Sequence, residues 1–277
     1  MARRSVTEFP YDSSHFTSLQ LHPSAATRLA FAGWARWTAE HAVAFPTMIR
    51  EYGAGFAVMG VRLDYHEPFT FLDGERLTLT TTSRLLRHRS LMETVTRITA
   101  HGRHPADTTL LCRALSVDVG RAMAAQPGTI PPEIAERYRP EELCDDDTFT
   151  DRLGPLLGRL SVSSPGLARA DCTRLIDRQV CEAADQWCFT EVTGLLATSR
   201  QHLIDTRAEE HPILRQGLSR PLDHVEFRLT RLLLLHDRAT IETTCHQDGN
   251  RLVFAHRIVG ENGYVHGEAA ELLEPAP

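Results

Sequence analysis

The chain has 277 residues and no lysine; all 30 of its basic residues are arginines. That absence excludes Schiff-base and pyridoxal-lysine chemistry, the Walker A phosphate clamp, kinase-type nucleotide binding and Ser-Lys dyads. Cysteine is sparse and unpatterned. The six residues at 112, 144, 172, 181, 188 and 245 contain no C-x-x-C pair and read as reduced thiols. No apolar run approaches the ~18 residues of a membrane span. The longest, Leu232 to Leu235, is strand-sized and is expected to be a buried or interface strand. Two arginines near the start have no apolar segment behind them, so no secretory signal is read and the expected location is the cytoplasm. A formal net charge of −6 argues against a nucleic-acid binder, and no membrane partner is expected.

What is present is a globular composition, 42% hydrophobic, and a plan that occurs twice. In the first copy an alternating segment at 15–22 leads into a small-residue helix with Ser24 as its N-cap. Strands follow over 56–69, 75–88, 90–102 and 108–120. In the second copy a strand over 167–180 precedes a helix over 182–203, then strands over 222–231, 238–247, 251–260 and 264–274. Glu75-Arg-Leu-Thr-Leu79 aligns with Asp237-Arg-Ala-Thr-Ile241 at an offset of 162, and Thr81-Thr82 with Thr243-Thr244 at the same offset. Gly102 falls on Gly263 at 161, whereas Trp37 falls on Trp187 at only 150. Such an offset predicts a divergent duplication. The expected units are 1–118 and 168–277, joined by a linker at 119–167, with 10–118 and 168–275 superposing about a pseudo-two-fold axis. The linker carries Asp145-Asp146-Asp147, which reads as a solvated run and not as a metal site.

Val61-Arg-Leu-Asp-Tyr-His-Glu-Pro68, followed by Gly74-Glu75 and a second strand, resembles the segment after the helix in the 4-hydroxybenzoyl-CoA thioesterase and acyl-ACP thioesterase superfamily. The resemblance implies an α+β double hotdog: two tandem units, each an antiparallel sheet wrapped around a central helix. It also implies an acyl-CoA or acyl-carrier-protein substrate, thioester hydrolysis without a cofactor, and assembly as a homodimer. Members of the family carry an Asp, then Gly-His and Asn, ahead of a helical Tyr. With Trp34 on that Tyr, those positions hold Ser24, Thr27-Arg28 and Ala30. With Trp187 there, Asp177 keeps the carboxylate while Val180-Cys181 and Ala183 replace the rest. A lyase, isomerase or cyclase on a thioester-linked substrate, and a non-catalytic acyl binder, are the alternatives.

Asp177 is thus a catalytic candidate from its motif position, or a helix cap. Glu191, four residues after Trp187, shares its helix face; if that face is buried, the carboxyl is tuned for acid–base work, and otherwise it is an Arg-paired structural glutamate. His41, four residues after Trp37, becomes its pseudo-equivalent across the helix seam, with Glu40 beside it. Trp37 and Trp187 would line that seam. Cys181 at a helix start is a possible nucleophile or an inert thiol. Arg84, Arg87 and Arg89 surround one hairpin, as a solvated turn or as a grip on CoA or phosphopantetheine phosphate. Glu182 reads as a capping residue. Neither His101 with His104 nor His15 with His22 has a third ligand at metal-site spacing, so no metal is expected.

Overall fold

Alternation decides which face of each strand is buried. In the strand from Arg76 to Leu86, Leu77, Leu79, Thr81, Ser83 and Leu85 are buried while their neighbours face outward. Residues 238–248 repeat this with Ala239, Ile241, Thr243 and Cys245. A computed structural model describes residues 2–121, 124–144, 158 and 166–275. Its first half comprises β1 (Ser5–Pro10), α1 (Pro23–His41), α2 (Phe45–Tyr52), β2 (Ala54–Tyr65), β3 (Arg76–Leu86), β4 (Leu91–Ala100) and β5 (Arg103–Asp118). A connecting segment carries β6 (Ala124–Pro127), α3 (Pro132–Ala135) and β7 (Leu143–Cys144). The second half is β8 (Ala168–Leu175), α4 (Val192–Arg207), β9 (Leu222–Leu229), β10 (Arg238–Asp248), β11 (Arg251–Gly260) and β12 (Val265–Leu273).

The twelve strands form one sheet in the order β1-β3-β4-β5-β2-β9-β12-β11-β10-β8, with β6 added to β5 and β7 to β3. Every pairing is antiparallel except β3 with β7. The chain is α+β, and each half repeats strand, helix, four strands. β3 and β10 are both 11 residues long at an offset of 162, and β4 and β11 are both 10 residues long at 160. α1 lies so close on the sheet that a side chain at Gly33 would strike the Thr81 hydroxyl, so glycine is required there.

Several expectations need correction. The first strand is Ser5–Pro10, and residues 15–22 form a 3-10 turn and a short bridged loop instead. His22 rather than Ser24 caps α1. The second helix starts at Val192, ten residues later than the pattern suggested, so the offset between the helices is longer than between the strands, not shorter. The cause is Leu232 to Leu235. This stretch is a loop after β9 in which Leu233 is buried and Leu232 and Leu234 are exposed. Trp187 N donates to Leu233 O at 2.9 Å and Gln186 bridges Leu234, which holds 186–187 extended and off the helix.

The connecting segment differs from a solvated linker. Ile130, Ile134 and Tyr138 enter the core, and the fully buried Glu142 accepts from Arg3 Nη2 at 2.5 Å. Burial would raise the Glu142 carboxyl, but the Arg3 bonds and backbone donors bring it down to about 2. Asp145-Asp146-Asp147 lie outside the described residues.

The halves join where β2 pairs β9, from Gly60 opposite Arg228 to Asp64 opposite His224. Val61, Leu63, Val225 and Phe227 point into the core; Arg62, Asp64, His224 and Glu226 lie on the other face. There His224 sits between two carboxylates, with Nδ1 at 2.8 Å from Asp64 Oδ1 and Nε2 at 3.2 Å from Glu226 Oε2. Burial alone would depress the imidazole, but the two carboxylates outweigh it and raise its pKa. For Asp64, burial is likewise outweighed by His224 and Arg62, and the carboxyl falls to about 2.

The clamp therefore has a pH window. His224 binds its proton more tightly when folded, so its contribution is full below 6.5 and is lost as pH rises through the raised value. Asp64 contributes fully above its ordinary 3.8 and loses the contribution as pH falls towards about 2. The stability difference between wild type and His224→Gln, from urea unfolding, is expected to be largest between those limits and to shrink on both sides. A difference independent of pH would contradict the clamp.

Candidate functional site

α1 opens with Pro23 in its first turn and His22 Nδ1 accepting from Ser24 N at 3.1 Å. Burial, reinforced by Arg28 and Arg200, pushes His22 below its ordinary pKa, which suits a neutral acceptor. A 3-10 turn, Phe189–Glu191, runs directly into α4: Glu191 N donates to Cys188 O at 3.0 Å and Val192 N to Phe189 O, and neither Cys188 nor Glu191 adds a side-chain cap. The two helix starts meet: Arg28 Nη2 of α1 lies 2.7 Å from Glu191 Oε1. Thr190 Oγ1 donates to the same oxygen at 3.4 Å, and Cys188 Sγ lies 3.1 Å from the Thr190 hydroxyl.

An aromatic bed adjoins this ion pair. Phe31, three residues after Arg28, packs edge-on against Phe189 at 5.6 Å and stacks on Phe45 at 6.2 Å. Trp34 meets Phe45 at 4.7 Å and Phe56 at 5.8 Å. Phe31 is 38% exposed, so the bed reaches solvent. The arrangement brings together an aromatic cluster with one exposed ring, a carboxylate, a guanidinium and the N-terminal end of a helix.

A second polar cluster lies beneath α4. The Thr243 hydroxyl is 2.9 Å from His256 Nδ1, and His256 Nε2 is 3.3 Å from Glu271 Oε2. Arg200 Nη1 of α4 stands 2.7 Å from Glu271 Oε1. Burial pushes the Glu271 carboxyl up, but Arg200 and His256 outweigh it and hold it below the usual range. Tyr65 feels both Glu271 and Arg200; burial raises its hydroxyl, which donates to Leu21 O at 2.7 Å. Thr243, His256 and Glu271 are each no more than 1% exposed, so they tie α4 to the sheet and do not meet a substrate. Removing Arg200 would strand a buried charge, at a cost of ~3–5 kcal/mol.

The residues singled out in the sequence scatter. Glu191 is at the seam, but it precedes the helix, is 27% exposed and is Arg-paired; Trp187 is not on its helix face, so the burial argument fails. His41 is at the opposite end of α1, ~20 Å from Arg28 at 1.5 Å per residue. It packs on Trp37 at 5.3 Å, with Nε2 3.4 Å from Arg4 O, and does not face Glu191. Glu40 accepts from Ser5 Oγ at 2.5 Å and from Arg36 Nε at 2.6 Å, bonds that lower its carboxyl. Trp37 is fully buried with its indole donating to Arg3 O at 3.2 Å, and Trp187 is buried by the Leu233 loop.

Asp177 is exposed and caps a 3-10 turn, accepting from Gln179 N at 2.8 Å. Cys181 Sγ donates to Asp177 O at 3.2 Å; burial and the nearby Asp185 raise its thiol, against an activated thiolate. It ends that turn rather than starting a helix. Glu182 accepts from Gln186 Nε2. Arg84 is engaged by Glu93 at 2.8 Å. Arg87, His88 and Arg89 form the β3–β4 turn, all at positive φ (45°, 51° and 71°), and β5 and β2 separate this hairpin from β9. His104 meets His66 and Asp107 rather than His101, whose Nε2 accepts from Glu75 N.

Sequence reasoning missed Arg28 and Phe31, although their spacing puts them on one helix face. It also missed His256 and Glu271. The signal was there: each is the one ionisable group in the otherwise apolar inward row of its strand.

No family sequence model and no curated protein sequence matches the chain. Solved structures do. A protein assigned as an oleoyl thioesterase from Lactobacillus plantarum superposes with a TM-score of 0.75 at 12% identity, covering 100% of this chain and 98% of that one. The 12:0-ACP thioesterase from Umbellularia californica gives 0.71 at 12% identity, covering 99% and 94%. An acyl-ACP thioesterase from Bacteroides thetaiotaomicron gives 0.63 at 10% identity, covering 98% of each. The resemblance read from the Asp64-Tyr65 segment therefore holds at the level of architecture, and the chain has the fold of the hotdog-type thioesterases.

Proposed function

We propose that the chain is a double hotdog, with units at 1–118 and 168–277, that hydrolyses an acyl thioester of coenzyme A or a carrier protein at the seam of its two helices. The observation that carries this reading is Glu191 in the 3-10 turn that leads into α4, paired with Arg28 and bordered by the Phe31, Trp34, Phe45 and Phe56 bed. In the reaction the acyl chain lies on the aromatics and the thioester carbonyl faces the N–H groups of Phe189 and Thr190, which open the helical run into α4. Glu191 takes a proton from water as the water oxygen bonds to the carbonyl carbon. The negative charge that develops on the carbonyl oxygen is met by the helix N–H groups and dipole. The C–S bond then breaks, and the thiolate leaves with the proton held by Glu191, giving acid and thiol. Arg28 orients the carboxylate. Described residues include no helix long and apolar enough to cross a membrane, which fits a thioester carried by a soluble partner.

Glu191→Gln keeps shape and most hydrogen bonding but cannot accept a proton at neutral pH. Turnover of an acyl-CoA panel, followed by thiol release, is expected to fall ~10²–10⁴-fold with acyl-ligand affinity retained. Asp177→Asn, which alters only a turn cap, is expected to stay within a few fold of wild type. Loss of activity in Asp177→Asn with Glu191→Gln intact would transfer the role to Asp177. Saturable binding without thiol release in the wild type would replace hydrolysis by carriage.

The raised thiol of Cys181 gives a separate expectation. Its alkylation by iodoacetamide should accelerate only as pH passes its ordinary value of 9.0, and Cys181→Ser should turn over normally. Rapid alkylation at pH 7 with loss of activity would make the thiol the nucleophile.

A further inference from the structure

We infer that His66, His104 and Asp107 form a binding site for a divalent first-row transition metal, zinc above all, on the sheet face away from the helices. His66 continues the outward side of β2 after Arg62 and Asp64, and its backbone N–H donates to Pro105 O at 2.9 Å, which holds it beside β5. Asp107 is the cross-strand partner of Asp64, so it shares that face. His104 reaches the same point from the start of β5, where Glu67 ties the chain by accepting from His104 N at 2.7 Å and Arg103 Nε at 2.9 Å.

The donor atoms already converge. His66 Nε2 is 3.1 Å from Asp107 Oδ2, His104 Nε2 is 2.8 Å from Asp107 Oδ1, and the three groups' ligand atoms lie within 4.8 Å of one another. Zinc bonds of ~2.0–2.2 Å to nitrogen and oxygen in a tetrahedron put neighbouring ligands ~3.3 Å apart. The two shorter separations differ from that by ~0.5 Å or less. Two imidazoles and one carboxylate are the donor set for zinc, cobalt or nickel; calcium and magnesium prefer all-oxygen shells. The groups are 24–41% exposed, which leaves room for water in the fourth position. Arg97 Nε stands 3.6 Å from Asp107 Oδ1 and is the competing cation.

Zinc titration of the full chain against a chromogenic chelator, and cobalt titration followed by visible absorption, test the site. Wild type is expected to bind one ion tightly enough to compete with the chelator, with cobalt giving the intense absorption of tetrahedral coordination. His66→Gln, at an exposed position, and His104→Gln, at a half-buried one, should each weaken zinc at least ~10-fold, the loss of one bonding group. Arg97→Gln should tighten it by removing the competitor. Absence of binding in wild type would overturn the inference. So would retention of wild-type zinc affinity in both histidine variants, which would assign the ion to other groups such as the free thiols. Thioester turnover is not needed to read either result.

Discussion

Five residue pairs of β2 and β9 hold the two halves of the sheet in one continuous ladder, and the placement of everything else follows from that pairing. Each half has its own helix on its own strands. Only when β2 and β9 are in register do the starts of α1 and α4 meet, so that Arg28 reaches Glu191 and Phe31 reaches Phe189. A one-residue slip would turn Leu63 or Val225 outward and put Asp64 or Glu226 on the face that packs against the helices. His224 penalises such a slip, because its two nitrogens fit the carboxylates of Asp64 and Glu226 in one register only. The outer face of the seam thus specifies the geometry of the inner face.

Much of this was legible because strands announce themselves by alternation. β3 and β10 share a length and an offset because a two-residue period leaves little freedom once both faces are committed. The helices were less legible. Their buried faces mix small and polar residues, and tryptophans at matching spacing suggested an equivalence between Trp37 and Trp187. That equivalence failed because Trp187 is held by the carbonyl of Leu233, a contact 46 residues away that no local pattern encodes. Placing Glu191 on a buried helix face failed for the same reason. The N-terminal strand was missed because Ser5–Pro10 is an edge strand with polar, half-exposed positions and little alternation of hydrophobicity.

The candidate site was legible only in part. Glu191 could be named from sequence, but its neighbours could not, since Arg28 lies 163 residues away in the chain. The hydrogen-bonded charges under α4 show the complementary case. Fully buried, Glu271 keeps its charge because Arg200 and His256 surround it, and that network anchors the helix whose start carries Glu191. A rigid α4 matters for the proposed chemistry, because backbone N–H groups stabilise a developing charge only when they are already aimed at it.

The most direct measurement is a crystal structure with a non-hydrolysable thioether analogue of an acyl-CoA. The account predicts an alkyl chain against Phe31, Trp34, Phe45 and Phe56, with the carbonyl-equivalent position beside the Phe189–Glu191 turn that opens α4 and Glu191 within reach of an ordered water. An alkyl chain bound elsewhere on the molecule, with the seam unchanged, would contradict it.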